Sequence, residues 1–400
     1  MHTMTRQPRR AAAHHTTQGA SMTAVTARTS SQTQDRATHG VAEQEARRTR
    51  RLPLPRARGA LSAALLATLT AGPPTQDSQA GVATLREAAA DLVRRGHDVL
   101  QDDDVQLTLT VLYELHHRGV DEVDDAWEWE PGLLAVRQSL ERPFEAAVRS
   151  RAGQPSCAET DAAGVARRLF QLAADDAPSL ARYVAKDADS EQAREYLVLK
   201  SLYQLKEADP HTWAIPRLAG APKAALVEIQ TDEYGGGQAG HMHAELFART
   251  MRGAGLDDAY GRYVDAVPVP VLAALNMMSL FGLHRRLRGA IVGHLAAYEM
   301  TSSIPSRLYG NGFRRLGHDA ETTRYFDEHV EADAVHEQIA GRDLAGRLAE
   351  QEPGLRDDIL LGAAACLAIE GDVAAFALDR WKRGDSSLLV PLDDVSTSGS

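Results

Sequence analysis

Two histidines and an aspartate recur at helical spacing in the segment His329-Val-Glu-Ala-Asp333-Ala-Val-His336. Offsets of four and seven residues put these side chains on one face of an α-helix, because each residue turns the helix by about 100°. Two imidazoles and a carboxylate on one face can bind the same metal centre. A solvated acidic face is the alternative, since Glu328, Glu331 and Glu337 lie close by.

Further carboxylates and imidazoles occur on other predicted helices that have an apolar side. Glu207 ends a helix predicted from Ser190 to Glu207, and Glu299 lies in an apolar, Ala/Leu-rich helix. An unpaired carboxylate is costly to bury there, so Glu299 lies at the rim or binds a cation. The complete candidate set is Glu207, Glu233, His243, Glu299, His329, Asp333 and His336. Mixed Glu and His sets inside helical bundles suit two redox-active irons.

These residues are carried by a chain that the sequence predicts to be helix after helix. Ala, Leu, Arg, Glu and Asp dominate, aromatic residues are only 5%, and we find neither a strand signature nor a solenoid repeat. We expect an all-α bundle of ten or so helices in a single domain over residues 52–390. Within it, Pro305 is predicted to end the Glu299 helix, and Ile359 to Ile369 is predicted to be a buried helix.

The ends of the chain differ from this domain. Residues 1–51 are predicted to be a disordered basic tail, and residues 391–400 a loose C-terminal tail.

The net charge of −11 makes nucleic acid an unexpected partner for the domain. Two distant cysteines imply no disulfide framework and fit a cytoplasmic location. No apolar run in the sequence reaches the length needed to span a bilayer, so no membrane partner is expected.

Several segments together resemble the heme-oxygenase-like diiron oxidases, also called iron-containing redox enzymes. The resemblance runs from about Leu52 to Trp381. It is densest in Asp209-Pro-His, Asp232-Glu-Tyr-Gly-Gly-Gly, Met242-His-Ala-Glu-Leu-Phe247, Asn276 to Arg288, Glu299-Met-Thr-Ser-Ser and Glu328-His-Val-Glu-Ala-Asp-Ala-Val-His-Glu337. The family pattern is a Glu, a second Glu, a His ten residues on, a distant Glu and H-x-x-x-D-x-x-H, and the seven candidates match these places in order.

The resemblance implies a heme-oxygenase-like helical bundle that binds no heme. It implies two irons that change between Fe(II) and Fe(III) and reduce the cosubstrate O2 through a peroxo intermediate. The function that follows is a non-heme diiron oxidase or oxygenase acting on a small organic metabolite, with N-oxygenation of an amine as the leading subtype. We also expect an unidentified electron donor, and the sequence leaves a homodimer open.

Other functions remain alternatives at this point. Relatives cleave C–C bonds, decarboxylate fatty acids or modify their own side chains, so the matched positions do not name a substrate. A non-catalytic iron- or ligand-binding bundle, such as a carrier or regulator, is a second class. A heme-degrading enzyme would need an axial histidine early in the bundle, where only His97, His116 and His117 are available.

Some other residues near the candidates have simpler interpretations. Tyr203, Tyr234, Tyr298 and Met300 are candidates for shaping the substrate site, although core packing is the more common role of such residues.

A basic cluster is formed in the sequence by His284, Arg285, Arg286 and Arg288. It could hold an anionic substrate group, but we favour surface ion pairs. His294 is left out of the site because it lies about 140° away from Glu299 on a helix.

Overall fold

The computed structural model describes residues 51–76, 78–96, 98–174 and 179–392, except for the side chains of Asp333 and Ala334. The predicted tail over residues 1–51 lies outside this range except for Arg51. Residues 393–400 of the predicted C-terminal tail also lie outside it, as does His97. The predicted tails and domain boundaries therefore stay predictions.

The described residues form α-helices joined by turns and short 3₁₀ segments, and they contain no β-strand. In chain order the helices are α1 (Ala60–Thr70), α2 (Gln79–Arg94), α3 (Asp103–Glu114), α4 (Pro131–Ala152), α5 (Ala162–Ala173), α6 (Leu180–Lys186), α7 (Ser190–Gln204), α8 (Asp209–Thr212), α9 (Gly220–Glu233), α10 (His243–Gly253), α11 (Val269–Leu283), α12 (Arg288–Met300), α13 (Ser303–Arg315), α14 (Ala320–Gln338), α15 (Arg347–Gln351) and α16 (Arg356–Lys382). The predicted all-α class is confirmed.

Helices α12 and α16 form the most extensive helix pair among the described residues. Two glycines make their close approach possible. A Cβ atom on Gly293 would overlap the carbonyl oxygen of Ile359, and one on Gly362 would overlap that of Ala290. The backbones therefore touch where these glycines cross, and this contact fixes the position of Glu299 near the end of α12.

Side-chain caps define where two of the important helices begin. The Asp189 carboxylate accepts a hydrogen bond from the Gln192 backbone N–H at 2.9 Å, and the Gln192 side chain accepts one from the Asp189 backbone N–H at 3.2 Å. Asp319 caps α14 by accepting from the Thr322 backbone N–H at 2.9 Å. Such caps satisfy N–H groups that have no partner inside the helix, so they set the first residue of α7 and of α14.

Pro305 does not end the helical region, which corrects the prediction. Helix α12 ends at Met300, and α13 begins at Ser303, so Pro305 lies in the first turn of a new helix. Proline is tolerated there because its missing N–H has no intrahelical acceptor in the first turn. The predicted helix over Ile359 to Ile369 was also too short, because α16 continues to Lys382.

The helix that carries the histidine motif changes its winding after the motif. From Ile339 to Gly346 the chain forms a π-helical segment, and α15 follows. A Cβ on Gly341 would overlap the end of the Met300 side chain. The wider winding therefore packs directly against the end of α12, beginning three residues after His336.

One helix among the described residues is long and apolar enough to cross a membrane by length and composition. It covers Pro353–Lys382, and half of its apolar window is buried inside the protein. The core helix of a soluble protein has the same properties, and α16 packs against α12 in this way.

Candidate metal centre

The structure brings six of the seven predicted ligands together from five segments. Glu207 lies in the turn after α7, Glu233 is the last residue of α9, His243 is the first residue of α10, Glu299 is next to last in α12, and His329 and His336 lie on α14. The prediction made Glu207 the last residue of a helix. The helix ends at Gln204 instead, and the chain turns through Ala208, whose φ is 74°, before Pro210.

A glycine turn brings His243 back towards Glu233. Gly235, Gly236 and Gly237 all have positive φ, a conformation that residues with a Cβ rarely adopt. A Cβ on Gly235 would also overlap the backbone between His241 and Met242. The turn can therefore reverse the chain tightly enough for the two side chains to meet.

The first group of ligands, which we call the Glu207 cluster, consists of Glu207, His243 and His329. One ligand atom of each residue lies within 4.8 Å of the others. The His329 Nε2 atom is 3.5 Å from Glu207 Oε1. The imidazole rings of His243 and His329 have their centroids 4.3 Å apart. All three side chains are at least nine-tenths buried.

The second group, the Glu299 cluster, consists of Glu233, Glu299 and His336. Its ligand atoms also lie within 4.8 Å of one another, and all three residues are buried. The His336 Nδ1 atom is 3.4 Å from Glu299 Oε2. Glu233 links the two clusters, because its Oε2 atom is 3.0 Å from His243 Nδ1.

A small space of about 30 Å³ lies between the clusters. Glu207, Glu233, Glu299 and His329 all line it. A water-sized occupant needs roughly 10–15 Å³ of such volume. The space therefore has room for a water-sized occupant among carboxylates of both clusters.

The chemistry of the donors fits iron. The Glu207 cluster offers two imidazoles and one carboxylate, the donor set of many non-heme Fe(II) oxygenases. The Glu299 cluster offers one imidazole and two carboxylates, a mixture that binds the same ions. Three carboxylates buried this close together also need positive charge nearby, which metal ions would supply.

Asp333 lies in α14 between the two histidines, but its side chain is outside the part of the chain that the structure describes. Its predicted role as a ligand stays a prediction. So does the assignment of the other six residues as ligands, although their grouping agrees with it.

Tyr325 is a neighbour of the Glu207 cluster that the sequence prediction missed. Its hydroxyl donates to both carboxylate oxygens of Glu207, at 3.1 and 3.2 Å. Burial, together with the Glu207 charge, raises the pKa of Tyr325 well above its usual value, so the hydroxyl stays a donor. The Tyr325 backbone carbonyl is 2.8 Å from His329 Nδ1 and leaves Nε2 facing Glu207. Its spacing of four residues before His329 was the available signal.

Asp232 orients a histidine of the Glu299 cluster, as the Tyr325 carbonyl does for His329. One of its carboxylate oxygens is 3.0 Å from His336 Nε2, on the opposite side of the ring from Glu299. Histidine ligands commonly direct their second nitrogen to a carboxylate, which fixes the ring orientation. From the sequence, Asp232 was named only as the first residue of the Asp232-Glu-Tyr-Gly-Gly-Gly segment, without a role.

A buried pair of histidines, His211 and His294, lies next to the clusters, and His211 lines the small space between them. His211 Nε2 is 3.1 Å from His294 Nδ1, and the His294 ring stacks on Tyr298 with centroids 4.9 Å apart. Burial lowers the pKa of His294 to about 3, so this imidazole is neutral. Leaving His294 out of the ligand set agrees with this position, because its Nδ1 faces His211.

A larger cavity of about 260 Å³ opens beside the Glu207 cluster. Glu207, His329 and Tyr325 line one part of it, and Lys200, Tyr298 and Glu370 line another. Pockets for small molecules typically measure ~300–1,000 Å³, so this cavity suits a small metabolite. Tyr298 was among the predicted substrate-site residues. Tyr234 was too, but its hydroxyl bonds to Thr212 and Asp209 instead.

The basic cluster forms ion pairs, as favoured from the sequence. His284 pairs with Glu141 at 2.9 Å, and Arg286 and Arg288 form ion pairs with Glu145 and Glu352. These contacts join α4 and the loop after α15 to the start of α12. The cluster lines none of the cavities described above.

Comparison with known protein families gives a match for the part of the chain that holds the clusters. The sequence model of the family described as iron-containing redox enzyme matches residues 194–371. The matched range contains all seven predicted ligands. No curated protein matches the chain. The family match confirms the resemblance and the heme-oxygenase-like fold class, and it supports iron and redox activity.

Proposed function

Since residues 194–371 belong to the iron-containing redox enzyme family, we propose that the two clusters bind two iron ions and that the protein is a non-heme diiron oxygenase. The observation that carries this proposal is the division of six buried ligands into two adjoining groups of three. We include Asp333 in the proposed set because it shares the α14 face with His329 and His336.

Iron bound at these clusters would supply the activation of O2. We propose a small amine as the substrate and oxygen transfer to its nitrogen as the reaction. Inserting one oxygen atom into an N–H bond leaves the second atom as water. The conversion then consumes two protons and two electrons, which an external reductant must provide.

The protein's own residues would hold and isolate the site. Tyr325 keeps the Glu207 carboxylate in one orientation, and Asp232 does the same for the His336 ring. Helices α12 and α16 bury their side chains beside the site, which limits access of water. The adjoining cavity gives the substrate a place beside the Glu207 cluster.

The first test counts iron in metal-free protein titrated with Fe(II) without oxygen. We expect two equivalents in the wild type, one in His243→Ala, one in His336→Ala, and weakened binding of both in Glu233→Ala. His241→Ala is the matched control, because His241 is exposed and close to His243 in sequence. Wild-type protein that binds no iron, or His336→Ala that binds as much as the wild type, would contradict the proposal.

The second test measures O2 consumption and visible absorption after oxygen is admitted to the loaded protein. We expect rapid consumption in the wild type and a large loss in His243→Ala and His336→Ala. A hydroxylamine product from an amine, with labelled oxygen from O2, would support N-oxygenation. Iron binding without O2 consumption would instead support a carrier or regulator.

A further inference from the structure

The chain turns sharply where it presents Glu207. Helix α7 ends at Gln204, and α8 begins at Asp209. Between them Ala208 is buried and has a φ of 74°, a conformation that is unfavourable for a residue with a Cβ. Contacts from other parts of the chain must hold the turn in this form, and they decide where the Glu207 backbone lies.

Helix α9 supplies these contacts on one side of the turn. The Tyr234 hydroxyl donates to Asp209 Oδ1 at 2.9 Å. The Gln230 side-chain amide donates to the Ala208 carbonyl oxygen at 3.0 Å and to Thr212 Oγ1 at 2.6 Å. The Thr212 and Tyr234 hydroxyls are also 2.9 Å apart. We call the side chains of Asp209, Thr212, Gln230 and Tyr234 the polar link.

The residues that α9 contributes to the polar link lie on either side of Glu233. Gln230 comes three residues before Glu233, and Tyr234 follows it directly at the end of the helix. Gln230 and Ala208 also line the small space between the clusters, together with Glu207 and Glu233. The polar link therefore joins the segment that carries Glu207 to the segment that carries Glu233, and these two carboxylates belong to different clusters.

Helix α3 holds the other side of the turn. Lys206 Nζ forms an ion pair with Glu114 Oε2 at 2.7 Å, and both side chains are almost fully buried. The Arg118 guanidinium, just after α3, donates to the Leu205 carbonyl oxygen at 3.2 Å. The turn is thus fixed to α3, and the polar link fixes the end of α9 to the turn.

We propose that Asp209 and Tyr234 are positioning residues that hold Glu207 and Glu233 in register, so that one hydrogen bond keeps the ligands of both clusters in place. Neither residue belongs to the ligand set. Tyr325 and Asp232, by contrast, each contact one cluster. The inference rests on the proposed function where iron is concerned, whereas the register of the two carboxylates is a property of the metal-free protein.

Loss of this hydrogen bond would free the two segments from each other. Ala208 could then relax from its left-handed conformation, which would shift Glu207. The end of α9 would lose its contact with the turn, which would shift Glu233. Each iron would then have to order its own carboxylate on binding, and that cost lowers affinity. The expected result is weaker binding at both clusters.

Stepwise Fe(II) titration of full-length, metal-free protein without oxygen tests the inference. We expect Tyr234→Phe to weaken both equivalents of iron by about three- to tenfold. Tyr263→Phe is the matched control, because the Tyr263 hydroxyl accepts from the Asp257 backbone N–H at 2.9 Å and lines none of the cavities described above. We expect both of its iron affinities to match those of the wild type.

Variants of Asp209 distinguish the hydrogen bond from the charge. Asp209→Asn keeps an oxygen that can accept from Tyr234, so both iron affinities should stay close to those of the wild type. Asp209→Ala removes the acceptor and should weaken both as Tyr234→Phe does. Combining Asp209→Ala with Tyr234→Phe should weaken iron no further than either change alone, since both remove the same bond.

The histidine rings give a reading that needs no iron. His329 lies beside Glu207, and His336 lies in the cluster of Glu233. We expect Tyr234→Phe to shift the nuclear magnetic resonance signals of both rings in metal-free protein at constant pH, and Tyr263→Phe to leave them unchanged. Thermal unfolding of each variant shows whether the fold is kept.

Three results would overturn the inference. One is weakened iron binding at only one cluster, or at neither, in folded Tyr234→Phe protein. Another is Asp209→Asn protein that binds iron as weakly as Asp209→Ala protein. The third is unchanged ring signals of His329 and His336 in Tyr234→Phe. Wild-type protein that takes up no iron would overturn the proposed function alone, and the ring signals would still decide whether the polar link positions both clusters.

Discussion

The Asp232 carboxylate lies 3.0 Å from His336 Nε2, while Glu299 lies 3.4 Å from Nδ1 of the same ring. The ring is therefore held between two carboxylates, one of them exposed at the surface. We predict that Asp232→Asn weakens Fe(II) binding at the Glu299 cluster by about tenfold. The reason is that the His336 ring loses the carboxylate that fixes its orientation. Stepwise Fe(II) titration of metal-free protein measures this change.

Glu228→Gln is the control for this prediction. Glu228 lies one turn before Asp232 on the exposed side of α9, so both variants remove one negative charge from the same helix. Equal weakening in the two variants would show a general charge effect and contradict the specific role of Asp232.

Tyr325→Phe removes a hydroxyl that donates to the Glu207 carboxylate while keeping the ring. We predict a loss of about 1–3 kcal/mol in the free energy of unfolding of metal-free protein, since a buried charged acceptor loses its donor. We also expect weaker Fe(II) binding at the Glu207 cluster. Urea unfolding and Fe(II) titration measure the two effects.

Tyr183→Phe serves as the comparison, because the Tyr183 ring stacks on Trp381 away from the clusters. If Tyr325→Phe unfolds and binds iron as Tyr183→Phe does, the Tyr325 hydroxyl has no role in positioning Glu207.

The crossing of α12 and α16 gives a third prediction. Gly293→Ala is expected to lower the free energy of unfolding by about 1–3 kcal/mol, because the added methyl overlaps the backbone of Ile359. Gly371→Ala lies on α16 where nothing is within 4 Å of the added atom, so it should stabilise by about 0.5–1 kcal/mol. Urea unfolding of both variants decides. Equal effects would mean that the helices do not touch at Gly293.

The buried histidine pair predicts sensitivity to acid. Burial lowers the pKa of His294 from its ordinary 6.5 to about 3. Between these two pH values the unfolded chain therefore binds a proton at His294 and the folded chain does not. Stability linked to His294 is complete above pH 6.5 and falls as the pH drops from there towards 3. The slope is at most about 1.4 kcal/mol per pH unit.

His294→Leu should reduce this slope by close to one proton, and His241→Leu, at an exposed histidine, should not. Urea unfolding between pH 7.5 and pH 4.5 measures the slope for each protein. An unchanged slope in His294→Leu would show that His294 takes up its proton in the folded state.

The sequence was most informative where one element carries the chemistry. His329 and His336 belong to a single helix, so the helical period alone placed them on one face. It could not show that they would join different clusters. Seven residues span roughly 10 Å along a helix axis, and the partners of each histidine depend on how α14 crosses its neighbours.

Contacts between distant parts of the chain could not be predicted from the sequence either, because they too depend on how the helices cross. Lys200 and Glu370 are 170 residues apart, and neither residue type is unusual in a helix. The prediction for Pro305 is wrong because proline is common both just after a helix and in the first turn of one. In the structure a new helix begins at Ser303, two residues before Pro305, so the proline belongs to a helix start. A serine alone is a weak sequence signal for the start of a helix.

The burial of α16 has a consequence for the order of events during translation. Helix α16 is synthesised after every segment that carries a ligand, yet α12 packs against it more extensively than against any other described helix. Until α16 leaves the ribosome, α12 lacks its most extensive packing partner, and the position of Glu299 is not yet fixed by that contact. Under the proposed function, iron binding at the Glu299 cluster then follows synthesis of α16, and we expect a nascent chain halted before residue 356 to be a client of chaperones and to bind Fe(II) poorly.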